Sequence, residues 1–474
     1  MATFQLCLVP LLGSLLVVAV PRAFSQEPPV PSLVDSTSGA SPSAVTRAGM
    51  VRLESHGFAD GRGPFLGLAA SYFTALQRCR HDRARLESDL AFLAAQGFNS
   101  YRMFSMVGHN ASWSGLEIAP VSFTSREGRR VEAWPDYVDQ FRTLIDLAFD
   151  KYGLRTEITV FADAQLMPEK TARLAHLDRL LAEVLPGREH KILLIEVANE
   201  AWQNGFPGDA GVAELRELAK HLNERTKILV AISSNHGGPG SGDLTGFDQL
   251  HAGGVADLAT WHFSRDRRPD AGWRPVLDCW ELGGRPGAPP VCSNEPIGPG
   301  ASVNSESDPV RLVMAAAFAW TARLPLYVLH SEAGVHGRTR FEDTPSIRQF
   351  QFVTRLLPAD LPAWPRNDGL SAAAPFTVHC GGKTDHYWSE EKDGGDGCVR
   401  NIGGRKDDHF VCLPIGIRPA GLKVTARQPM AFTAFDPLTG SPLTSATLAS
   451  GETRTLPVGP GALIVTGRIL PQGK

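Results

Sequence analysis

The chain has 474 residues, too long for one ordinary hydrophobic core, so two domains with appendages are expected. Apolar residues make up 43% and charged residues 20%, and the formal charge is only −3. So small a charge over this length argues against nucleic acid or an anionic membrane surface as a partner.

Residues 6–20 form an almost uninterrupted apolar run that Pro21 ends, and Ala23-Phe24-Ser25 supplies small residues where a signal peptidase reads. Residues 1–25 therefore read as a signal peptide, although the leading MATFQ carries no Lys or Arg. A run of about fifteen apolar residues is short for a membrane span. With no other stretch of that length, a secreted or periplasmic protein with no membrane span in its mature chain is expected. Residues 26–48, rich in Ser, Pro, Thr and Ala with no apolar period, read as a flexible linker.

Cys7 leaves with the signal, and six cysteines remain: Cys79, Cys279, Cys292, Cys380, Cys398 and Cys412. An even number in an oxidising compartment suggests disulfides. Cys279 with Cys292 is the first expected pair, because the two bracket one Gly/Pro-rich loop. Two of the last three are expected to pair in the C-terminal domain. None has the spacing of a zinc site, so no metal is expected.

From residue 49 onward, strands and helices alternate. Residues 50–58, a Gly-rich turn and then 65–72 read as a short hairpin leading into a first strand. Strands follow at 98–107, 154–162, 192–200, 228–233, 257–263, 290–295 and 326–330, with helices expected at 83–96, 134–152, 168–185, 213–226, 308–323 and 345–357. Eight strands alternating with helices over 49–357 predict a (β/α)8 barrel. A doubly wound open sheet is the rival, but no strand runs into a GxGxxG or a P-loop, so neither that fold nor a nucleotide cofactor is supported. Beyond about residue 358, helical periodicity vanishes and short alternating runs appear. This predicts an antiparallel β-sandwich over 358–474.

The stretch Lys191 to Gly205, KILLIEVANEAWQNG, carries the most chemistry. An apolar, β-branched strand with one carboxylate inside it ends in Asn199-Glu200, with Trp202 beside them. In a parallel barrel, ligands bind at the carboxyl ends of the strands. Those ends supply Arg102, Asp163, Asn199, Glu200, Asn235, His262, Glu295 and the cluster His330-Ser331-Glu332. Two carboxylates flanking a bond are what glycoside hydrolysis needs, one protonated as acid and one ionised as nucleophile or base. Asn199 suits a sugar hydroxyl beside the reacting carbon, His262 can orient a carboxylate, and Arg102 can keep one ionised. Trp113, Trp202, Trp261 and Trp273 are candidates for stacking on a sugar, although aromatics are core by default.

These residues resemble clan A glycoside hydrolases, the cellulase and mannanase superfamily, of a family-five-like kind. Val197-Ala198-Asn199-Glu200 resembles the strand-four Asn-Glu motif, and Arg102 the strand-two arginine. Trp261-His262-Phe263 is similar to the strand-six His-aromatic motif, and the segment ending at Glu295 resembles the one that carries the nucleophile. The resemblance covers about residues 50–357 and implies retaining hydrolysis of a β-linked sugar in an oligosaccharide, polysaccharide or glycoconjugate. It makes Glu200 the acid/base and Glu295 the nucleophile, with Arg102, Asn199, His262, Trp202, Trp261 and Asn235 on the substrate side. Two departures stand out. The Trp usual after strand eight is replaced by His330-Ser331-Glu332-Ala333-Gly334, which leaves Glu332 as an alternative nucleophile. Strand three reads Phe161-Ala162-Asp163 where a polar His or Asn is common. A non-catalytic carbohydrate-binding protein on the same barrel is the other reading. A metal-dependent barrel hydrolase is a third, for which the His-x-His ligand pairs are missing.

Overall fold

Eight strands make one parallel sheet: Gly67–Ser71, Ser100–Phe104, Arg155–Phe161, Ile192–Ala198, Val230–Ala231, Ala259–Trp261, Val291–Ser293 and Leu326–Leu329. Numbered one to eight in chain order, they pair in the order five, four, three, two, one, eight, seven, six. A parallel bridge between Ala231 and Leu258 joins strand five to the approach of strand six. The sheet thereby closes into a (β/α)8 barrel. The computed structural model describes residues 47–108, 116–200, 203–234, 245–263, 273, 276, 279–296, 298–299, 306–368, 373–380, 383–384, 400–415, 422–456 and 461–471. The expected signal peptide and most of the expected linker lie outside these residues.

Local chemistry explains where the shell helices begin and end. Asp82 caps the helix Arg83–Ala95 by accepting the Arg85 N–H at 3.2 Å, and Gly97 leaves it at φ 86°. Asp308 caps Pro309–Thr321 by accepting the Val310 and Arg311 N–H groups at 2.8 and 3.3 Å. Among the described residues, no helix is long and apolar enough to cross a membrane.

The barrel's amino end is plugged. Three short antiparallel strands, Arg52–Glu54, Gly57–Asp60 and Gly63–Phe65, precede strand one. Their Phe58 and Phe65 pack with the inward residues Ala69, Leu194, Leu258, Cys292, Leu326 and Val328. The plug is tied down by charge as well. Arg155, 1% exposed at the start of strand three, donates to Asp60 Oδ2 at 2.9 Å and to the Gly49 carbonyl at 2.8 Å. With that end filled, polar groups can gather at the carboxyl end.

The C-terminal strands form two antiparallel sheets. One has six strands (Arg366–Asp368, Arg400–Lys406, His409–Ile415, Ile464–Ile469, Met430–Phe435, Pro442–Leu448), the other four (Lys383–Thr384, Phe376–Cys380, Leu422–Ala426, Thr453–Leu456). Between them lies a core of Phe376, Val378, Phe410, Cys412, Val424, Phe432 and Val465, which makes this a β-sandwich. The six-stranded sheet is buried on its other face too. Val411, Leu413 and Ile415 alternate with Phe410 and Cys412, and they belong to the core that runs through the barrel's shell helices. One strand thus serves two cores, because its side chains alternate sides.

The expected Cys279–Cys292 disulfide is not formed, and among the described residues the buried thiols of Cys79, Cys279, Cys292 and Cys412 make no disulfide. Cys279 sits on the shell helix Cys279–Gly283, while Cys292 on strand seven points into the barrel. The sheet stands between them, which sequence proximity across a Gly/Pro-rich loop does not reveal. The side chains of Cys380 and Cys398 lie outside the described residues. Peptide mapping after alkylation under non-reducing denaturation is expected to find Cys79, Cys279, Cys292 and Cys412 all alkylated. A disulfide-linked peptide joining Cys279 to Cys292 would overturn this barrel-wall argument.

Candidate active site

Each polar group at the mouth except Arg102 sits at or just past the end of a barrel strand. Ser71 closes strand one, Arg102 lies in strand two, and Asn199-Glu200 follow strand four. His262 follows strand six, Asn294-Glu295 follow strand seven, and His330 follows strand eight. All are at most 8% exposed.

Arg102 anchors the group. Its Nη1 donates to Glu295 Oε1 at 2.6 Å, and its Nη2 to Glu196 Oε2 at 2.6 Å and to Asn199 Oδ1 at 2.8 Å. Its Nε donates to Thr159 Oγ1 at 3.1 Å, and Thr159 passes a hydrogen bond on to Glu196 Oε2 at 2.6 Å. Phe73 and Phe104, stacked at 3.8 Å, lie beside the guanidinium, with its carbon 5.2 and 5.3 Å from their ring centres. Burial works against the charge on Arg102, but Glu196, Glu295 and Glu157 more than offset it, so its pKa stands above the ordinary value.

Glu200 is held differently. Its Oε1 meets His262 Nδ1 at 2.9 Å, and its Oε2 accepts from Gln203 Nε2 at 2.8 Å. Its backbone has φ 39°, the left-handed region, which for a residue with a Cβ costs about 1–3 kcal/mol. Such strain persists where the surroundings over-determine it, and here it turns the Glu200 carboxylate toward His262. A carboxylate oxygen of Glu200, a ring nitrogen of His262 and a carboxylate oxygen of Glu295 all lie within 4.8 Å of one another. His262 Nδ1 is also 3.5 Å from Glu295 Oε2. On the same oxygen's other side, His330 Nε2 stands at 3.6 Å, and its Nδ1 is 3.0 Å from Ser71 Oγ. Glu200, His262 and Glu295 could act as donors to a divalent cation. The Arg102 guanidinium already places a positive charge on Glu295, however, which makes Glu295 a weaker donor to a cation.

Not every expected residue joins this group. Trp261 is 2% exposed and packs edge-on against Phe247 at 5.2 Å, in the shell behind the barrel wall. It lies on strand six next to the inward-turned His262, so the two-residue period turns it outward, away from the mouth. Trp273 is likewise 4% exposed and packs against Phe318 at 6.3 Å. Asp163 accepts the Gly108 N–H at 2.8 Å and so shapes a loop. Glu332 lies on the short helix Glu332–Val335, where its carboxylate meets His336 Nδ1 at 2.8 Å and Arg338 Nε at 3.7 Å. Trp113, Trp202 and Asn235 lie outside the described residues.

The sequence reading left Ser71, Gln203 and His330 without a role, and it left out the buried Glu157, Thr159, Glu196 and Asn294. A signal was present for one of them, since Glu196 is the lone charge inside a strongly apolar strand, whereas Glu157 shares its strand with Arg155.

No protein-family model matches the chain, and no curated protein does. Solved structures do. A family 5 glycoside hydrolase from Bacteroides vulgatus superposes with a TM-score of 0.60 at 12% identity, covering 89% of this chain and 93% of that one. A second protein of that bacterium, described as a glycoside hydrolase, gives 0.58 at 13% identity over 89% of this chain and 82% of its own. An α-amylase from Geobacillus thermoleovorans, complexed with acarbose, gives 0.50 at 11% identity over 85% of this chain and 98% of its own. The chain therefore shares its barrel-based fold with these solved structures. At such low identity the likeness establishes fold alone.

Replacing Arg102 by Met keeps the length of the side chain but strands Glu196 and Glu295 without their cation. Breaking a buried pair in this way costs about 3–5 kcal/mol. Carboxylates without their cation hold protons to higher pH in the folded chain than in the unfolded one, so their penalty shrinks on acidification. Urea unfolding should show a larger deficit for R102M at pH 8 than at pH 5. An equal deficit at both would mean that Arg102 stabilises by packing and not by charge.

Proposed function

We propose that this protein is a retaining glycoside hydrolase that cleaves a β-linked sugar, with Glu295 as nucleophile and Glu200 as acid/base. The observation that carries the reading is the approach of the two carboxylates, whose nearest oxygens lie within 4.8 Å with His262 beside both. Retaining enzymes hold the two carboxyl groups about 5–5.5 Å apart, while inverting ones leave about 6.5–9.5 Å for a water molecule.

The surroundings divide the roles. A nucleophile must be ionised, and Glu295 carries the Arg102 guanidinium on Oε1 at 2.6 Å. An acid must hold a proton and later take one back, and Glu200 sits against an imidazole that can share it. In the first step Glu295 attacks the anomeric carbon while Glu200 protonates the departing oxygen. In the second, Glu200 takes a proton from water, and that water displaces Glu295 from the sugar. Asn199 has its Oδ1 engaged by Arg102, which leaves its NH2 group to donate to a sugar hydroxyl beside the reacting carbon. Glu332, held by His336 and Arg338, is the less suitable nucleophile. Export belongs to the same proposal and rests on the apolar run at 6–20 with its small-residue cleavage site.

Product stereochemistry tests the roles. With an activated aryl β-glycoside and azide, Glu200→Ala should still form the glycosyl-enzyme, and azide should rescue turnover as the β-azide. Glu295→Ala should give the α-azide or nothing. An α-azide from Glu200→Ala would reverse the assignment, and near-native activity in both variants would place the site elsewhere. A panel of aryl β-glycosides and β-linked polysaccharides identifies the sugar. If the wild-type protein binds one of these but cleaves none, it is a carbohydrate-binding protein.

A further inference from the structure

Below Glu295, the barrel interior holds two more carboxylates, Glu157 on strand three and Glu196 on strand four, both 0% exposed. The charged groups that bear on Glu157 are Arg102 from strand two, Glu196 from strand four and Glu295 from strand seven. The thiol of Cys292, also on strand seven, faces the same pair. It is neutral, because burial first and the carboxylates of Glu157 and Glu196 second push its pKa well up. Three carboxylates thus surround one guanidinium in a dry interior. They cannot all be ionised without a large uncompensated charge.

Hydrogen bonding shows which carboxylate differs. Glu196 is served on both oxygens: Arg102 and Thr159 donate to Oε2, and Asn294 Nδ2 donates to Oε1 at 3.1 Å. Glu295 has the guanidinium at 2.6 Å. Glu157 has less. Its Oε1 accepts from the same Asn294 amide at 2.9 Å, Arg102 Nε stands off at 3.6 Å, and its Oε2 is buried without a hydrogen-bond partner. A bare, ionised oxygen in such a place is costly, whereas a neutral acid is not.

We propose that Glu157 stays protonated beneath the site and acts as a positioning residue for the nucleophile. As a neutral acid it anchors the amide of Asn294, the residue before Glu295, without competing for Arg102. The guanidinium is then shared between Glu196 and Glu295. Once ionised, Glu157 would draw Arg102 across the 3.6 Å gap and loosen its hold on Glu295. This rests on the reading of Glu295 as the nucleophile. The carboxyl of Glu157 is pushed up to about 8, chiefly by burial, with Arg102 opposing and Glu196 adding to the rise.

The sign of the linkage follows. Between the ordinary value of 4.5 and about 8, the folded chain holds a proton that the unfolded chain has lost, so stability falls as pH rises through that window. Glu157→Gln, close in shape and always neutral, removes this contribution.

Three measurements on the full-length protein test the proposal. The infrared spectrum at pH 7 should contain the carbonyl band of a protonated carboxyl that Glu157→Gln lacks and that fades in the wild type above about pH 8. Urea unfolding should show the wild type losing stability relative to Glu157→Gln between pH 5 and 8. With a dinitrophenyl β-glycoside, whose departure needs no acid, wild-type kcat/KM should fall about tenfold from pH 7 to 9, as expected for a group titrating near 8. Glu157→Gln should stay flat over the same range. Identical infrared bands or parallel stability curves would overturn the protonation, and parallel pH–rate profiles would overturn the positioning role. The first two need no turnover, so a protein that cleaves no glycoside would sink the hydrolase reading while the state of Glu157 was still decided. Should Glu157→Gln fail to fold, the band is sought in Glu200→Gln, which lacks the other protonated carboxyl of the site: its presence at pH 7 supports the proposal and its absence overturns it.

Discussion

The site depends on one buried cation. Arg102 is 0% exposed, and its guanidinium reaches Glu196, Glu295 and Asn199 from a single position on strand two. An arginine can do this because its planar fork offers five donors in fixed directions and stays charged when buried. Lysine would present one point charge and could not serve two carboxylates and an amide at set angles. The cost of burying so much charge is met by mutual pairing, and the arrangement leaves little freedom in where Glu295 can sit.

The scaffold makes that arrangement possible. Plugging the amino end with Phe58, Phe65 and the Arg155–Asp60 pair lets apolar residues fill the lower barrel. Polar side chains then rise in a column toward the mouth: Glu157, Glu196 and Asn294 below, Arg102 between, Glu200, His262 and Glu295 above. The sandwich adds rigidity from outside. Val411, Leu413 and Ile415 continue the core around the barrel's shell helices, so the helix Pro309–Thr321 is buried along nearly its whole length. Rigid strands hold the chemistry, while Glu200 sits on a strained residue just past a strand end. Local strain at a site is sustained by well-packed surroundings of this kind.

Much of the architecture was legible from local patterns. Apolar runs and helical periods marked eight strands and six of the helices between them, because strand and helix periods are properties of neighbouring residues. Side-chain direction was harder to read. Trp261 adjoins His262 in the sequence yet faces the opposite way, and Cys279 and Cys292 adjoin one loop yet lie on opposite sides of the barrel wall.

The sequence by itself determined the order of the strands and which polar groups stand at their ends, since both follow from period and punctuation along the chain. It therefore placed Arg102, Asn199, Glu200, His262 and Glu295 at one end of the barrel. The tertiary structure alone decided which of these groups touch. Arg102 could have paired with Asp163, yet it pairs with Glu196 and Glu295, and Glu332 turns to His336 although it too follows a strand. The reason is that closing the barrel sets the stagger between strands far apart in the chain. That stagger decides whether a guanidinium on strand two meets a carboxylate from strand four or strand seven.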